Sequence, residues 1–154
     1  MSATNLPTLY PRVLREGDAV ALVSPAGPVV ASKIEAAVQV LEGWGLKPRV
    51  YPHALGKHSF YAGTDEDRLA DLNSALADPQ IRAVICNRGG YGTQRILGQL
   101  DYESVRRDPK LVTGFSDITA LHGALWTHAG LATIHGPVAT QLERGGLFTS
   151  SMRH

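Results

Sequence analysis

The chain has 154 residues, the size of one domain, and its 44% hydrophobic and 19% charged residues are typical of globular proteins. Its formal net charge is +1 and its basic residues are scattered, which argues against nucleic acid or a membrane as partner. The single cysteine, Cys86, excludes an internal disulfide and a cysteine-based zinc site. Because neither a signal peptide nor a membrane-spanning stretch is visible, we expect a cytoplasmic protein.

Short apolar runs alternate with segments of helical periodicity. Strands are predicted at residues 19–23, 47–51, 81–86, 111–113 and 132–134. A first helix is predicted to end at Gly43 and to begin after Ser32, which would be its N-cap and form a capping box with Glu35. Further helices are predicted at residues 65–77 and 118–128, and a helix or turn at residues 93–100. This alternation predicts an α/β fold: a mostly parallel sheet flanked by helices in one flavodoxin-like or Rossmann-like layer.

The predicted organisation is a leader at residues 1–13, one domain at 14–142 and a flexible tail at 143–154. Within the domain, three loops begin where a predicted strand ends, at residues 24–28, 87–92 and 114–117. Ligands bind beyond the carboxyl ends of the strands in such sheets. We therefore expect the three loops to line one rim and to carry the functional site.

Ser116 is the first candidate for chemistry. It lies on a predicted strand-to-helix turn two residues after Gly114, where a hydroxyl is pushed out of the sheet toward the first amides of the next helix. Those unpaired amides can stabilise the oxyanion of a tetrahedral intermediate. The elbow motif of hydrolases has a second glycine where this chain has Ile118, and the alternative interpretation is that Ser116 and Asp117 only cap the helix.

The glycine-rich loop at residues 87–92 is the second candidate. Its glycines allow close approach of the backbone to a ligand, and the loop matches neither the dinucleotide fingerprint nor the P-loop. Its amides are candidates for the other half of an oxyanion hole, and Arg88 is a candidate for binding a carboxylate, with Tyr91 beside it as a second substrate-binding residue. An ordinary glycine-rich turn is the alternative.

The six histidines do not show the spacing of a zinc site, so no metal is predicted. A serine nucleophile needs a general base within hydrogen-bonding reach. His122 lies well into the helix after Ser116 and is expected to point elsewhere, while His135 has the reach for the rim but no pattern that places it beside the serine. No histidine is therefore assigned as the base, and Cys86 is expected in the core.

Five segments, in order, resemble the LD-carboxypeptidase family of serine peptidases, which includes muramoyltetrapeptide carboxypeptidase and the microcin C self-immunity protein. They are residues 14–18 with 23–27 (LREGD, VSPAG), 60–65 with 68–72 (FYAGTD, RLADL), 86–92 (CNRGGYG), 114–119 (GFSDIT) and 135–137 (HGP). The resemblance covers residues 14–142. One such motif would carry little weight, but five in sequence are specific.

The resemblance implies a nucleophile at Ser116 and an oxyanion hole formed by the amide of Asp117 and an amide of the Gly89-Gly90 turn. It implies no metal or organic cofactor. Family members release the terminal D-alanine of cell-wall tetrapeptides during peptidoglycan recycling, whereas the immunity relatives cleave a peptidyl or aminoacyl nucleotide. Family members are about twice as long, and their base histidine and its glutamate come from a C-terminal domain.

Three hypotheses follow from the resemblance. The chain is the nucleophile-bearing N-terminal part of a two-domain LD-carboxypeptidase, acts on muropeptides and is inactive without the C-terminal domain as partner. The hydrolase of which it is a fragment is alternatively microcin-immunity-like. In the second hypothesis the chain is a module that binds peptidoglycan fragments without cleaving them. In a third interpretation, a surface that a second domain would otherwise cover mediates self-association, for instance as a homodimer.

Overall fold

Residues 6–143, the part of the chain that this computed structural model describes, contain five strands and five α-helices. In chain order they are β1 (Ala19–Val23), α1 (Ala31–Gly43), β2 (Lys47–Val50), α2 (Asp65–Ala77), β3 (Ile81–Cys86), α3 (Thr93–Ile96), α4 (Tyr102–Arg107), β4 (Leu111–Gly114), α5 (Thr119–Ala129) and β5 (Ile134–His135). Short 3₁₀ turns lie at Leu97–Gln99, Ser116–Ile118 and Ala139–Gln141.

The strands form one five-stranded sheet in the order β2-β1-β3-β4-β5, and every pairing is parallel. This is the strand order of flavodoxin-like folds, in which the direction of winding reverses between β1 and β3. The prediction of a parallel α/β sheet flanked by helices is confirmed. The loops that follow β1 and β3 therefore flank the crevice in which such folds bind their ligands.

Side chains that alternate along β1 pack into two separate apolar layers. Ala21 and Val23 lie in the larger layer, which helices α2 to α5 cover. Val20 and Leu22 lie in the smaller layer, covered by α1 and by the turn at Ala139–Gln141. Because each of these strand residues is 0% exposed, β1 is buried on both faces, as its continuous apolar sequence predicts.

Several elements differ from the prediction, and β2, β4 and α5 also end one residue away from their predicted ends. Helix α1 begins at Ala31 and its N-cap, Val30, makes no side-chain capping bond, so the predicted capping box from Ser32 is wrong. Strand β5 is Ile134–His135, two residues later than predicted at its start. Helix α4 was not predicted. The helix predicted from Ile118 begins one residue later, after the 3₁₀ turn that contains Ser116.

The N-terminal residues that the structure describes contact the domain. The Leu9 N–H donates to Gly130 O at 2.8 Å, and Leu9 pairs with Leu131 in a parallel bridge. Arg12 forms two hydrogen bonds of 2.7 Å with Asp18, and these lower the pKa of Asp18 to about 2. Apart from Glu143, the predicted tail lies outside the described residues. Among residues 6–143, no helix has the length and apolarity needed to cross a membrane.

Candidate active site

The three loops predicted to share a rim follow β1, β3 and β4, which are neighbours in the sheet. The β1 and β3 loops are joined directly, because the Gly27 N–H donates to Gly89 O at 3.0 Å. Below them, the Asn87 side-chain amide donates to the Ser24 hydroxyl at 2.9 Å, and that hydroxyl donates to Ala54 O at 2.7 Å. A buried hydrogen-bond network therefore supports the rim from beneath.

Ser116 has a strained backbone at the carboxyl end of β4. Its φ is 61°, in the left-handed region that non-glycine residues rarely adopt, and such a conformation costs about 1–3 kcal/mol. Its side chain is exposed, and within residues 6–143 its hydroxyl makes no hydrogen bond. The turn has the geometry expected of a nucleophile elbow, in which strain presents a serine hydroxyl at the edge of the sheet.

Ile118, the residue that departs from the elbow motif, packs against Gly114 in the same turn. A Cβ on Gly114 would lie 2.7 Å from Cγ2 of Ile118, which is fully buried. Gly114 is therefore required by this packing, and the position that carries the second glycine of the motif is filled by a core side chain. The turn keeps its sharp geometry without that second glycine.

The alternative in which Ser116 and Asp117 cap their own helix is wrong. Neither the 3₁₀ turn nor α5 has a side-chain capping hydrogen bond. The Asp117 carboxylate instead accepts a hydrogen bond of 2.9 Å from the N–H of Thr93, the first residue of α3. The Asp117 side chain therefore links the serine turn to the glycine-rich loop. This link was not predicted, because no sequence spacing signals it.

Gly89 brings the glycine-rich loop against Ser116. A Cβ on Gly89 would lie 2.8 Å from Ser116 Cβ and 3.1 Å from its Oγ, so only a glycine allows this approach. Gly90 has a φ of 122°, and a Cβ there would lie 3.0 Å from the Cα of Gly27. The structure thus brings together Ser116, Asp117, Gly89 and Gly90, the four residues to which the family resemblance assigns a nucleophile and an oxyanion hole.

The direction of one amide follows from the hydrogen bond to Gly89 O. That carbonyl points toward the N–H of Gly27, and the peptide between Gly89 and Gly90 is trans, so the N–H of Gly90 points away from Gly27. Within residues 6–143, neither this N–H nor that of Asp117 has a hydrogen-bond acceptor. Both amides are therefore available to an oxygen atom of a ligand.

Arg88 and Tyr91, the predicted substrate-binding residues, lie exposed on the same loop. One terminal nitrogen of the Arg88 guanidinium donates to Pro28 O at 2.9 Å, which fixes the side chain along the β1 loop. The Tyr91 side chain is 72% exposed. Their contact with a substrate remains a prediction.

His122 and His135 contact the residues beside Ser116 and not its hydroxyl. His122 Nε2 lies 2.9 Å from Gly114 O, and burial lowers the pKa of His122. The His135 ring lies edge-on to the Phe115 ring, with centroids 6.4 Å apart. No histidine of residues 6–143 hydrogen-bonds to Ser116, and no His, Cys, Asp and Glu side chains in this range group to hold a metal ion.

A histidine–aspartate pair that the sequence did not indicate joins the loop after β2 to helix α2. His53 Nδ1 is 2.9 Å from Oδ1 of the buried Asp71, the His53 backbone N–H donates to the other oxygen at 2.9 Å, and Nε2 is 3.4 Å from Asp67. The hydrogen bond with Asp71 raises the pKa of His53. Because this pKa is higher in the folded than in the unfolded state, protonated His53 stabilises the fold. The stabilisation is fully present at pH values below the pKa of the unfolded chain and is lost as pH rises through the pKa of the folded state.

We expect Asp71→Asn to lower the pKa of His53 toward its ordinary value of 6.5, because the charged partner of its Nδ1 is removed. An NMR titration of the His53 ring measures the change, and melting temperatures across the same pH range should lose part of their pH dependence. Asp67→Asn is the matched control and should change this pKa less, since Asp67 contributes only a weaker charge interaction. Equal effects of the two variants would contradict the assignment.

The chain is similar to known proteins over most of its length. A family model described as the LD-carboxypeptidase N-terminal domain matches residues 20–136. A Streptomyces coelicolor protein whose name includes carboxypeptidase is 50% identical over 137 residues, covering 86% of this chain and 44% of that protein. The murein tetrapeptide carboxypeptidase of Pseudomonas aeruginosa is 42% identical over 124 residues, covering 80% and 40%.

Solved structures agree with the sequence relatives. The crystal structure of an MccF-like protein from Bacillus anthracis superposes with a TM-score of 0.83 at 33% identity, covering 88% of this chain and 42% of that one. The chain thus spans less than half the length of the relatives it matches. The family model includes all three rim loops. The chain therefore belongs to the LD-carboxypeptidase family, and residues 20–136 match the N-terminal domain of that family.

Proposed function

We propose that this chain is the nucleophile-bearing part of a cytoplasmic serine carboxypeptidase that cleaves the L,D bond of cell-wall tetrapeptides in peptidoglycan recycling. One observation carries the proposal. Ser116 is held at a φ of 61° at the carboxyl edge of the sheet, with the backbone of Gly89 against its side chain. The name of the Pseudomonas aeruginosa relative, a murein tetrapeptide carboxypeptidase, supports the substrate class.

In the proposed reaction, Ser116 Oγ attacks the carbonyl carbon of the L,D peptide bond and its proton passes to a general base. The N–H groups of Asp117 and Gly90 donate to the oxyanion of the tetrahedral intermediate. Collapse of the intermediate breaks the C–N bond, and the base returns the proton to the nitrogen of the departing D-alanine. Water then hydrolyses the ester on Ser116 through a second oxyanion and restores the hydroxyl.

The base in this proposal comes from outside residues 6–143. No histidine in that range hydrogen-bonds to the Ser116 hydroxyl, and the family resemblance assigns the base histidine and its glutamate to a C-terminal domain. A serine without its base loses most of its catalytic rate, because the hydroxyl is a weak nucleophile while it keeps its proton. We therefore expect the chain by itself to be inactive.

Arg88 is proposed to bind the terminal carboxylate of the substrate. Its guanidinium has five N–H donors in a planar fork, of which one terminal nitrogen already donates to Pro28 O. The remaining donors suit a carboxylate in a bidentate pair. A carboxypeptidase needs such a group near its nucleophile, since the substrate ends one residue beyond the bond that is cleaved. Tyr91, on the same loop, is proposed to contact the side of the peptide.

The surface around the nucleophile suits contact with a second domain. Several large apolar side chains are exposed on or beside the loops that follow β1, β2 and β3, namely Val30, Val50, Leu55, Phe60 and Tyr91. A contiguous patch formed by such side chains would mark an interaction site. We propose that the C-terminal domain covers it and brings the base to Ser116, and that without this domain the same surface favours self-association.

The test is D-alanine release from an L,D-linked cell-wall tetrapeptide. The purified chain is expected to release none, whereas mixing it with the C-terminal part of the Streptomyces coelicolor relative should give a reconstituted enzyme that does. Turnover by the chain alone that disappears in Ser116→Ala would refute an external base. Binding of the tetrapeptide without cleavage, even after the two parts have associated, would instead favour a non-catalytic binding module.

A second substrate class is an aminoacyl or peptidyl nucleotide. The likeness to the MccF-like structure favours it, since MccF is the name of a microcin C7 self-immunity protein. The chemistry at Ser116 would be the same, because an acyl carbon is again attacked and only the leaving group differs. Assaying the reconstituted enzyme with an aspartyl sulfamoyl adenosine and with the tetrapeptide, in parallel, separates the two classes by their kcat/KM values.

A further inference from the structure

Arg68 is a fully buried cation in α2, next to the loops of the candidate active site. None of its side chain is exposed, although the exposed face of a helix is the usual place for an arginine. The guanidinium points toward the loops and not along the apolar layer that Leu72 and Leu76 of the same helix enter. Burying a charge in this way is unfavourable unless its donors are well paired.

The donors of Arg68 are paired with three carbonyl oxygens from three different loops. Its Nη1 donates to Pro25 O of the β1 loop at 2.5 Å and to Gly92 O of the β3 loop at 2.9 Å, and its Nε donates to Gly63 O at 3.3 Å. The remaining terminal nitrogen contacts the carboxylate of Asp65 at 2.5 Å. A single side chain therefore fixes the separation of the β1 loop, the β3 loop and the turn before α2.

Both loops that Arg68 holds are hydrogen-bonded to residues beside Ser116, the proposed nucleophile. Two residues after Pro25, the Gly27 N–H donates to Gly89 O at 3.0 Å. One residue after Gly92, the Thr93 N–H donates to the carboxylate of Asp117 at 2.9 Å. The contacts of Arg68 thus reach the two sides of the proposed oxyanion hole, through Gly89 on one side and Asp117 on the other.

The residues around Gly92 are tightly packed. A Cβ on Gly92 would lie 2.6 Å from the Tyr61 ring and 3.1 Å from Nη1 of Arg68, and Gly92 has a φ of 105°. The Arg68 guanidinium in turn lies over the Tyr61 ring, with Cζ 5.1 Å from its centroid. The position of the loop is therefore tied to the position of the guanidinium.

We propose that Arg68 is a positioning residue that holds the Gly89-Gly90 turn at the distance from Ser116 that the tetrahedral intermediate requires. The inference rests on the proposed function, since it takes Ser116 as nucleophile and the Gly90 and Asp117 amides as oxyanion donors. Arg68 touches neither the substrate nor the reacting atoms in this role. Its loss affects the tetrahedral state more than the ground state, because only the former uses both amides.

The experiment compares two ligands of the 154-residue chain, each titrated by NMR. A peptide boronic acid forms a reversible tetrahedral adduct with a serine hydroxyl and reports on the oxyanion hole, while the intact tetrapeptide reports on ground-state binding. Arg68→Lys is expected to weaken boronate binding about tenfold to a hundredfold and to leave tetrapeptide binding within about threefold, because a displacement near 1 Å has effects of that size. Lysine keeps the charge but lacks the planar fork that reaches three carbonyls.

Asp65→Asn is the matched control. It removes the charge that pairs with Arg68 but keeps an Oδ1 acceptor for the same donor and leaves the three carbonyl contacts in place, so boronate affinity should change less than about threefold. In the ligand-free chain, Arg68→Lys should shift the amide resonances of Gly89, Gly90 and Asp117, while Asp65→Asn should not. If Arg68→Lys does not fold, Gly92→Ala displaces the same guanidinium without removing it, and the same pattern is expected.

Folded Arg68 variants with unchanged boronate affinity and unchanged resonances at the glycine turn would overturn the inference. Equal weakening of both ligands would also overturn it, because that pattern reflects general loss of structure. Failure of the proposed function would give a different result in the same titrations. In that case Ser116→Ala would bind the boronic acid as well as the unsubstituted chain does, whatever the effect of Arg68.

Discussion

Substitution of Ser116 by alanine is expected to slow D-alanine release by the reconstituted enzyme about a thousandfold or more. Alanine keeps the backbone of the turn and removes only Oγ, the atom that forms the acyl-enzyme. The expected loss lies in kcat, because tetrapeptide binding depends on the rim and not on the hydroxyl. Steady-state measurement of kcat and KM tests this, and tetrapeptide titration of the variant shows whether the site stays intact.

Ser59 supplies the matched control for this experiment. It is the other non-glycine residue of the described range with a positive φ, at 56°, and its side chain is also exposed. Ser59→Ala therefore removes a hydroxyl from a similarly strained turn away from the β4 loop, and the rate should stay within about twofold. Equal losses in the two variants would point to strain or stability as the cause, and a Ser116→Ala enzyme that kept its rate would exclude the serine mechanism.

The elements that are predicted most accurately from the sequence are those whose own residues carry a clear periodic pattern and a clear end signal. Helix α2 is predicted at residues 65–77 and found at Asp65–Ala77, because leucines recur at helical spacing and Asp78-Pro79 ends the pattern. Strand β3 is likewise found at its predicted bounds. Helix α4 has six residues, too few to show a period, and its packing against α2 and α5 is visible only in three dimensions.

In the candidate site, too, local features can be predicted from the sequence and contacts between distant residues cannot. The places of Ser116 and of the glycine turn at strand ends follow from local spacing, since each follows a strand and carries glycines where the backbone bends, whereas their proposed roles come from the family resemblance. The Asp117–Thr93 and Arg68–Gly92 hydrogen bonds join residues 24 positions apart, and no local pattern indicates such a pair. Ser32 shows the converse error. Its spacing to Glu35 fits a capping box, but α1 begins one residue earlier, at Ala31.

Gly89→Ala is expected to reduce kcat of the reconstituted enzyme about a hundredfold, with a smaller change in KM. The φ of Gly89 is not in the left-handed region, so alanine is compatible with the local backbone and its effect comes from contact alone. The new Cβ would lie 2.8 Å from Ser116 Cβ and 3.3 Å from Phe115 O. Because these are backbone and near-backbone atoms, the glycine turn must move away from the nucleophile.

Gly123→Ala separates this contact from a general effect of adding a methyl group. Gly123 lies within α5, and no atom outside the helix backbone comes within 4 Å of the position that its new methyl group would take. Alanine should therefore stabilise the helix by about 0.5–1 kcal/mol and leave kcat unchanged. Thermal unfolding and steady-state kinetics of both variants provide the comparison. A Gly89→Ala enzyme with full activity would show that the turn is not held against Ser116 during catalysis, and the oxyanion hole would then have to be built from other donors.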